Sequence, residues 1–214
     1  MAKRDEVERE TGEAILDAAH TVFLRRGTAG ARMQEVADEA GVNKALLHYY
    51  FRSKEGLAEA VFTRAARRLF PPVLAIMGSE AAIEEKVEQI VEHELEILSE
   101  SPYLPGYLMS EIHHHPERLE QLMSMTMSGV SPAHLLPPIV EKLRRQIDKR
   151  VEAGTLRPIS PEQFIINLIA LCVFPFAARP MLELALGQGG RGFEVLIEER
   201  KRTLAAFFLN AMRP

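Results

Sequence analysis

All thirteen prolines of this chain lie at Pro71 or beyond. Proline in a helix interior removes a hydrogen bond and clashes with the preceding turn, so the first seventy residues lack the strongest interrupter of helices and are punctuated only by Gly12, Gly27, Gly30, Gly41 and Gly56. Apolar pairs recur at Ala14/Ile15, Ala18/Ala19 and Val22/Phe23, a four-residue step that marks one face of a helix. Arg25 and Arg26 suit a last turn and Gly27 a stop, which predicts a first helix over about 11–26. Met33, Val36, Ala37 and Ala40 give a second, ended by Gly41, and Lys44–Phe51 a third with Leu47, Tyr50 and Phe51 as its apolar face. Ser53 is a natural N-cap for a fourth helix over about 54–70, with Leu57, Val61, Ala65 and Leu69 at steps of four.

The spacing within the second and third helices is that of a helix-turn-helix. Counting Met33 as the first position, Val36 is fourth, Ala37 fifth, Gly41 ninth, Val42 tenth, Leu47 fifteenth and Tyr50 eighteenth. Ala37 is small where two helix axes cross closely, Gly41 can take the positive φ the turn needs, and Val36, Val42, Leu47 and Tyr50 can fill the wedge between the helices. Such packing holds the second helix of the pair outward, free to enter a major groove.

Charge supports that reading locally. Lys plus Arg is 26 and Asp plus Glu 30, a formal net charge of −4, which excludes a protein that grips polyanions over its whole surface. Between Arg25 and Lys54, however, six cations (Arg25, Arg26, Arg32, Lys44, Arg52, Lys54) face three acids (Glu35, Asp38, Glu39). Lys44 and Lys54 begin helices three and four, bracketing the recognition segment where phosphates would lie.

The stretch GTAGARMQEVADEAGVNKALLHYYFRSKEGLAEAVF, from Gly27 to Phe62, resembles the N-terminal DNA-binding domain of the TetR family of bacterial transcriptional regulators. The resemblance is most specific in Gly41-Val42-Asn43-Lys44, Leu47-His48-Tyr49-Tyr50-Phe51 and Ser53-Lys54-Glu55, and it extends back through the first helix. It implies an all-α protein, with a three-helix DNA-binding domain over 1–56, the connecting helix at about 54–70, and a helical ligand-binding and dimerisation domain over 71–214. It implies that Lys44, Ala45, Leu46, His48, Tyr49 and Tyr50 face DNA, that Lys54 meets a phosphate, and that Arg32 and Gln34 approach the backbone. Arg32 and Leu46 depart from the Ser or Thr usual in the family; Arg32 can replace a hydroxyl contact with a charged one, whereas Leu46 offers only van der Waals contact. Considered as side chains, Tyr50 and Phe51 belong mostly to the core, and His48 and Tyr49 mostly to DNA.

Beyond residue 70 the pattern is of further helices broken by prolines: 81–100, 103–114, a short one after Pro116, 137–153 stopped by Gly154, and a restart at Ser160-Pro161. The nearly apolar run over 164–178, interrupted by Asn167 and Pro175, is too short for a membrane span and fits a helix buried on most sides, within the domain or by a partner. Glycine-rich 187–192 is expected to be a connection, and the last helix, 193–212, presents Phe193, Leu196, Ile197, Leu204, Phe207 and Phe208. The resemblance implies that the last two helices pair with their copies in a homodimer, with Phe164, Phe193, Leu196, Leu204, Phe207 and Phe208 at the interface. One short recognition helix reads only about four base pairs, so a palindromic operator and a symmetric dimer go together.

The family's C-terminal domain implies a small-molecule effector, and Tyr103, Tyr107, Glu111, His113, Met127 and Phe174 are candidates to line its pocket, as an apolar cavity with a polar handle near Glu111 or His113. Glu111 and His114 have the Glu-x-x-His spacing of di-iron bundles, but a carboxylate-bridged site needs two such motifs. The side chains of His113-His114-His115 point about 100° apart on a helix. They precede Pro116, so they are read as a helix end and no metal is expected. Cys172, the only cysteine, has no neighbouring cation in sequence and is read as a buried small hydrophobe. No nucleophile elbow, phosphate-binding loop or dinucleotide fingerprint is present, so neither enzyme activity nor a cofactor is expected. The start, MAKRDEVERE, has no apolar stretch to act as a signal peptide, which makes the cytoplasm the expected compartment, and no membrane is expected as a partner. The expected function is a sequence-specific DNA-binding regulator, a repressor released by its ligand; the alternative is a helical metal- or small-molecule-binding protein whose motif is only a packing solution.

Overall fold

The computed structural model describes residues 2–114, 120, 123, 124, 127, 129–185 and 190–214. Among these the chain forms ten helices: α1 Ala2–Gly30, α2 Met33–Ala40, α3 Lys44–Phe51, α4 Lys54–Gly78, α5 Ile83–Glu100, α6 Leu104–His114, α7 Pro132–Glu152, α8 Pro161–Ala177, α9 Arg179–Ala185 and α10 Gly190–Ala211. The fold is all-α, as expected. The expected short helix after Pro116 lies outside the described residues.

The N-terminal helices match the glycine punctuation with one change. Gly27, non-helical at φ 67° and ψ 166°, breaks α1 where the sequence places a stop, with a short turn continuing to Gly30, whereas α1 starts at Ala2, well before residue 11. Its apolar stripe, Ile15, Ala18, Ala19, Val22 and Phe23, is buried against α2 and α4.

Further along, several prolines expected to end or begin helices lie inside them. α4 passes through Pro71 and Pro72 to Gly78, and α7 starts at Pro132, behind the Ser131 N-cap, before passing through Pro137 and Pro138. Proline at the first turn of a helix costs no hydrogen bond, but Pro72 and Pro175 each leave the carbonyl four residues earlier without its usual donor. Neighbouring helices supply one. His93 Nε2 of α5 donates to Arg68 O at 3.0 Å, and Arg200 of α10 donates to Leu171 O through Nε at 3.1 Å and Nη2 at 2.7 Å. The carbonyls at the C-terminus of α4 also meet cations, which suit the negative end of a helix. Lys86 Nζ reaches Met77 O and Lys142 Nζ reaches Gly78 O, each at 2.8 Å. The glycine-rich segment is shorter as a connection than expected, since Gly190 already belongs to α10.

One continuous core runs from Ile15 and Phe23 through Leu57 and Phe62 of α4 into Ile90 and Leu95 of α5, Phe164 and Leu168 of α8, and Leu204 and Phe208 of α10. α5 is its hub, packed on α4, α8 and α10. α4 crosses residue 70 unbroken, with Leu57, Phe62, Leu69, Val73 and Met77 buried along its length. α4 therefore couples the C-terminal helices mechanically to α1 and α3.

Candidate nucleic-acid interface

The turn between α2 and α3 is built by local chemistry. Gly41 sits in the left-handed region (φ 66°, ψ 27°), a conformation glycine adopts without a Cβ penalty. Its N–H donates to Asp38 O at 3.2 Å, while Val42 N–H donates to Ala37 O at 3.0 Å. Asn43 caps α3, its side-chain oxygen accepting from Leu46 N–H at 2.7 Å, which satisfies one of the orphan donors of the first turn. At the other end of α3, Phe51, Arg52 and Ser53 make an abrupt corner. Arg52 is the only non-glycine residue at positive φ (61°) among those described, and a Cβ on Gly56 would lie 2.5 Å from Phe51 O. Ser53 Oγ accepts from Gly56 N–H at 3.1 Å and starts α4.

This frame leaves Lys44, Ala45, His48 and Tyr49 exposed, at positions i, i+1, i+4 and i+5 of one helix face. Leu47, between them, is fully buried. Tyr49 is 69% exposed, a large aromatic surface held outward. His48 Nδ1 donates to Arg52 O at 2.8 Å, which pins the exposed ring. Two residues expected on this face are turned from it: Leu46 is half-buried, and Tyr50 packs back on the core, its ring 3.7 Å from a Cβ position on Gly12. Side chains advance about 100° per residue, so Tyr50 lies about 200° round the helix from His48 and faces away from the surface that His48 and Tyr49 share.

The flanking charges divide into two sets. Arg25 pairs with Glu39 and Arg26 with Glu35, tying α1 to α2. Glu35 also accepts from Arg32 N–H at 3.1 Å at the start of α2. Arg32, Lys44 and Arg52 remain exposed and form no ion pair among the described residues. Lys54 donates to Ala29 O at 2.6 Å, which uses one of the three donors of its ammonium group to hold α4 against the end of α1. Gln34 donates to Asp38 Oδ1 at 2.8 Å on the exposed side of α2.

The residues expected to line an effector pocket do not gather in one place. Tyr103 OH donates to His20 Nδ1 at 2.5 Å and meets Phe23 edge-on at 6.0 Å, joining the approach to α6 to α1. Burial holds the His20 pKa below its ordinary value, with Arg64 acting the same way, and burial pushes the Tyr103 phenol up. Both shifts keep the proton on the tyrosine. Tyr107 stacks on Phe62 of α4 at 4.9 Å. Met127 is buried in a different place, beside Pro71, Leu74 and Ile139. Phe174 stands on the outer side of α8. His113 is exposed, and the side chains of Glu111, His114 and His115 lie outside the described residues. Among those described, no group of three His, Cys, Asp or Glu side chains is placed to hold a metal ion.

The expected interface residues also divide. Phe164, Phe193, Leu204 and Phe208 are buried within the single chain, Phe164 meeting Phe208 edge-on at 5.2 Å and Phe176 meeting Phe193 at 5.6 Å. On α8 the buried residues Phe164, Leu168 and Cys172 recur at steps of four and make its inner face. Leu196 is half-buried and Phe207 is 63% exposed. The outer faces of α8 and α10 enclose an open groove of about 510 Å³ lined by Asn167, Ala170 and Phe174 on one side and Phe207 and Ala211 on the other. No single helix among the described residues is long and apolar enough to cross a membrane; α8 and α9 would pass only together, and they are bent by 70°.

Sequence reasoning missed Glu94. Its position, four residues after Ile90 and three after Val91, places it on the buried face of α5, and that helical period is the signal that could have found it.

The profile described as "Bacterial regulatory proteins, tetR family" matches residues 15–61. The transcriptional regulator RutR of Escherichia coli K12 is 26% identical over 209 residues, covering 94% of this chain and 90% of that protein. A TetR/AcrR-family regulator from Thermobifida fusca aligns with a TM-score of 0.60 at 16% identity, over 96% of this chain and all of that one. FadR of Bacillus subtilis, solved with stearoyl-CoA, aligns at 0.59 and 13% identity over 94% of this chain and 99% of that one.

Proposed function

This chain is a DNA-binding transcriptional regulator of the TetR family, and from that premise we propose that it is a repressor that grips a palindromic operator as a homodimer and lets go when a small molecule binds its C-terminal helices. The observation that carries the reading is the outward face of α3. Lys44, Ala45, His48 and Tyr49 stand together there on a helix braced from behind by Leu47 and Tyr50. Lys44 lies at the helix N-terminus, where backbone N–H groups and the dipole also favour a phosphate. Ala45, His48 and Tyr49 meet base edges, and Arg32, Gln34, Lys54 and Arg52 flank the backbone on either side.

The reading head is residues 1–56, α4 is its lever, and the remainder is the effector and dimer domain. The second copy docks on the outer faces of α8 and α10, where Phe174 and Phe207 are exposed beside the apolar groove. A two-fold dimer presents two α3 helices to two half-sites. The FadR structure holds an acyl-CoA; in this chain the effector acts between α5 and α8, and the packing of α5 on α4 can re-aim the reading heads. The protein works where the DNA is, in the cytoplasm, and by binding rather than by chemistry.

The test is binding to DNA flanking the protein's own coding sequence, in competitor, at two salt concentrations. Lys44→Ala is expected to weaken the complex and to lower the slope of log affinity against log salt by about one. An unchanged slope would remove Lys44 from the interface.

A further inference from the structure

Among the described residues two buried side-chain polar atoms have no hydrogen-bond partner, Thr63 Oγ1 and Glu94 Oε2. A hydroxyl left unpaired is a small defect, whereas a carboxyl is a large one. Glu94 is 3% exposed and lies on the face of α5 formed by Ile90, Val91, Leu95 and Leu98. The charged or titratable group opposite it on α8 is Cys172, whose thiol is fully buried and whose pKa is pushed up by burial first and by Glu94 second. No cation answers it. Arg200 of α10 is held on Leu171 O, Arg68 of α4 pairs with Glu100, and Lys86 of α5 is held by Met77 O and Gln146. Burial alone raises its pKa to about 8, so at neutral pH the group is kept as an acid inside an apolar wall. A leucine at this position would suit the packing of α5 on α8, and the carboxyl therefore calls for a role beyond stability.

We propose that Glu94 is the anchor of the effector site, and that the effector is an apolar molecule bearing a basic nitrogen, an amine or amidine that becomes the missing partner of this carboxyl. The proposal rests on the reading of the C-terminal helices as an effector domain. A basic nitrogen is favoured over a neutral amide or alcohol because an ion pair gains more in a low-dielectric wall where no other cation competes. A carboxylate ligand would meet a like charge or require the acid to remain protonated. The proton balance is definite: an ammonium ion entering from water ionises Glu94, and one proton leaves to solvent for each molecule bound. Because α5 packs on both α8 and α4, a ligand wedged between Glu94 and α8 displaces the hub against the lever that carries the reading head.

The experiment is calorimetry on the full chain at pH 7 with 4-phenylbutylamine, 4-phenylbutanol and 4-phenylbutanoate, each in two buffers of different ionisation heat. The amine is expected to bind at least tenfold more tightly than either analogue, releasing close to one proton. Glu94→Gln, a neutral isostere, is expected to lower amine affinity at least tenfold and to abolish proton release; Glu94→Asp, which keeps a carboxyl, retains the release and guards against a folding artefact. Equal or tighter binding of the alcohol or carboxylate, no binding of the amine, or amine binding unaffected by Glu94→Gln would overturn the proposal. Operator binding measured on the same preparations keeps the two readings apart. Its loss in the wild type would sink the regulator, while intact operator binding with a failed titration would sink only the amine.

Discussion

At the scale of single residues, side chains are assigned by a few ångströms of backbone. Tyr49 and Tyr50 are neighbours of one chemical type, yet one is a solvent-facing plate and the other a wedge against α1. The helix-turn-helix spacing already separates them, since Tyr50 falls on a packing position, and to that extent the site was legible in the sequence. Gly56 was legible only as punctuation; its reason is the Phe51 carbonyl 2.5 Å from where a Cβ would sit. Gly56→Ala is therefore expected to destabilise the fold by about 1–3 kcal/mol, the range for a forced backbone shift, and to lower operator affinity by moving α3, read by thermal melting and DNA binding together. An alanine variant with wild-type melting would show that the corner yields. Glu94 makes a pH prediction whose sign is fixed. Its pKa is about 8 in the fold against an ordinary 4.5. Below about 4.5 both folded and unfolded chains hold the proton, between there and about 8 only the folded chain does, and stability falls by up to about 1.4 kcal/mol per pH unit across that window. Glu94→Gln is expected to remove this slope, so its advantage over wild type grows from pH 5 to pH 8; parallel curves would contradict the buried acid.

At the scale of elements, the prolines mark the boundary of what a sequence can say. Proline ends helices because it orphans a carbonyl and crowds the previous turn, and the N-terminal helices, free of proline, were read within a few residues at α2 and α3. α4, α7 and α8 run through theirs. For Pro72 and Pro175 the repair comes from side chains 25 and 29 residues from the carbonyls they satisfy, a tertiary compensation that no local window contains. The compensation can be weighed in a double-mutant cycle. Arg200→Leu is expected to cost about 1–3 kcal/mol by leaving Leu171 O unsatisfied, and distinctly less in a Pro175→Ala background, where the alanine N–H can take over that carbonyl. Additive effects would mean that Arg200 matters only for packing.

At the scale of the whole molecule, the core is shared and the exposed surfaces are what remain for partners. The last two helices were expected to offer a row of phenylalanines to a second copy, but the inner face of each already packs on α5, so Phe164, Phe193 and Phe208 are spent within the chain. Periodicity shows that a helix has an apolar face; on a helix as apolar as α8 it cannot say which side meets its own chain. The dimer reading therefore moves to Phe174 and Phe207, and Phe174→Glu with Phe207→Glu is expected to shift sedimentation at micromolar concentration from dimer to monomer while leaving the helical content unchanged. A double variant that sediments as a dimer would place the interface elsewhere. The link from that domain to DNA is α4, reinforced where Tyr103 grips His20 and Tyr107 stacks on Phe62. The sequence suggests these two aromatics as pocket lining; their contacts instead join α1 and α4 to the segment around α6.

The central expectation is two outward-held α3 helices reading DNA as a pair. Footprinting the purified chain on DNA flanking its own coding sequence, followed by genome-wide selection of bound fragments with wild type and Lys44→Ala in parallel, addresses that most directly. The expected result is a competitor-resistant footprint of two related half-sites one helical turn apart or a multiple of it, weakened by Lys44→Ala with a salt slope lower by about one. No enriched paired sites from the whole genome, or enrichment that Lys44→Ala leaves untouched, would contradict it.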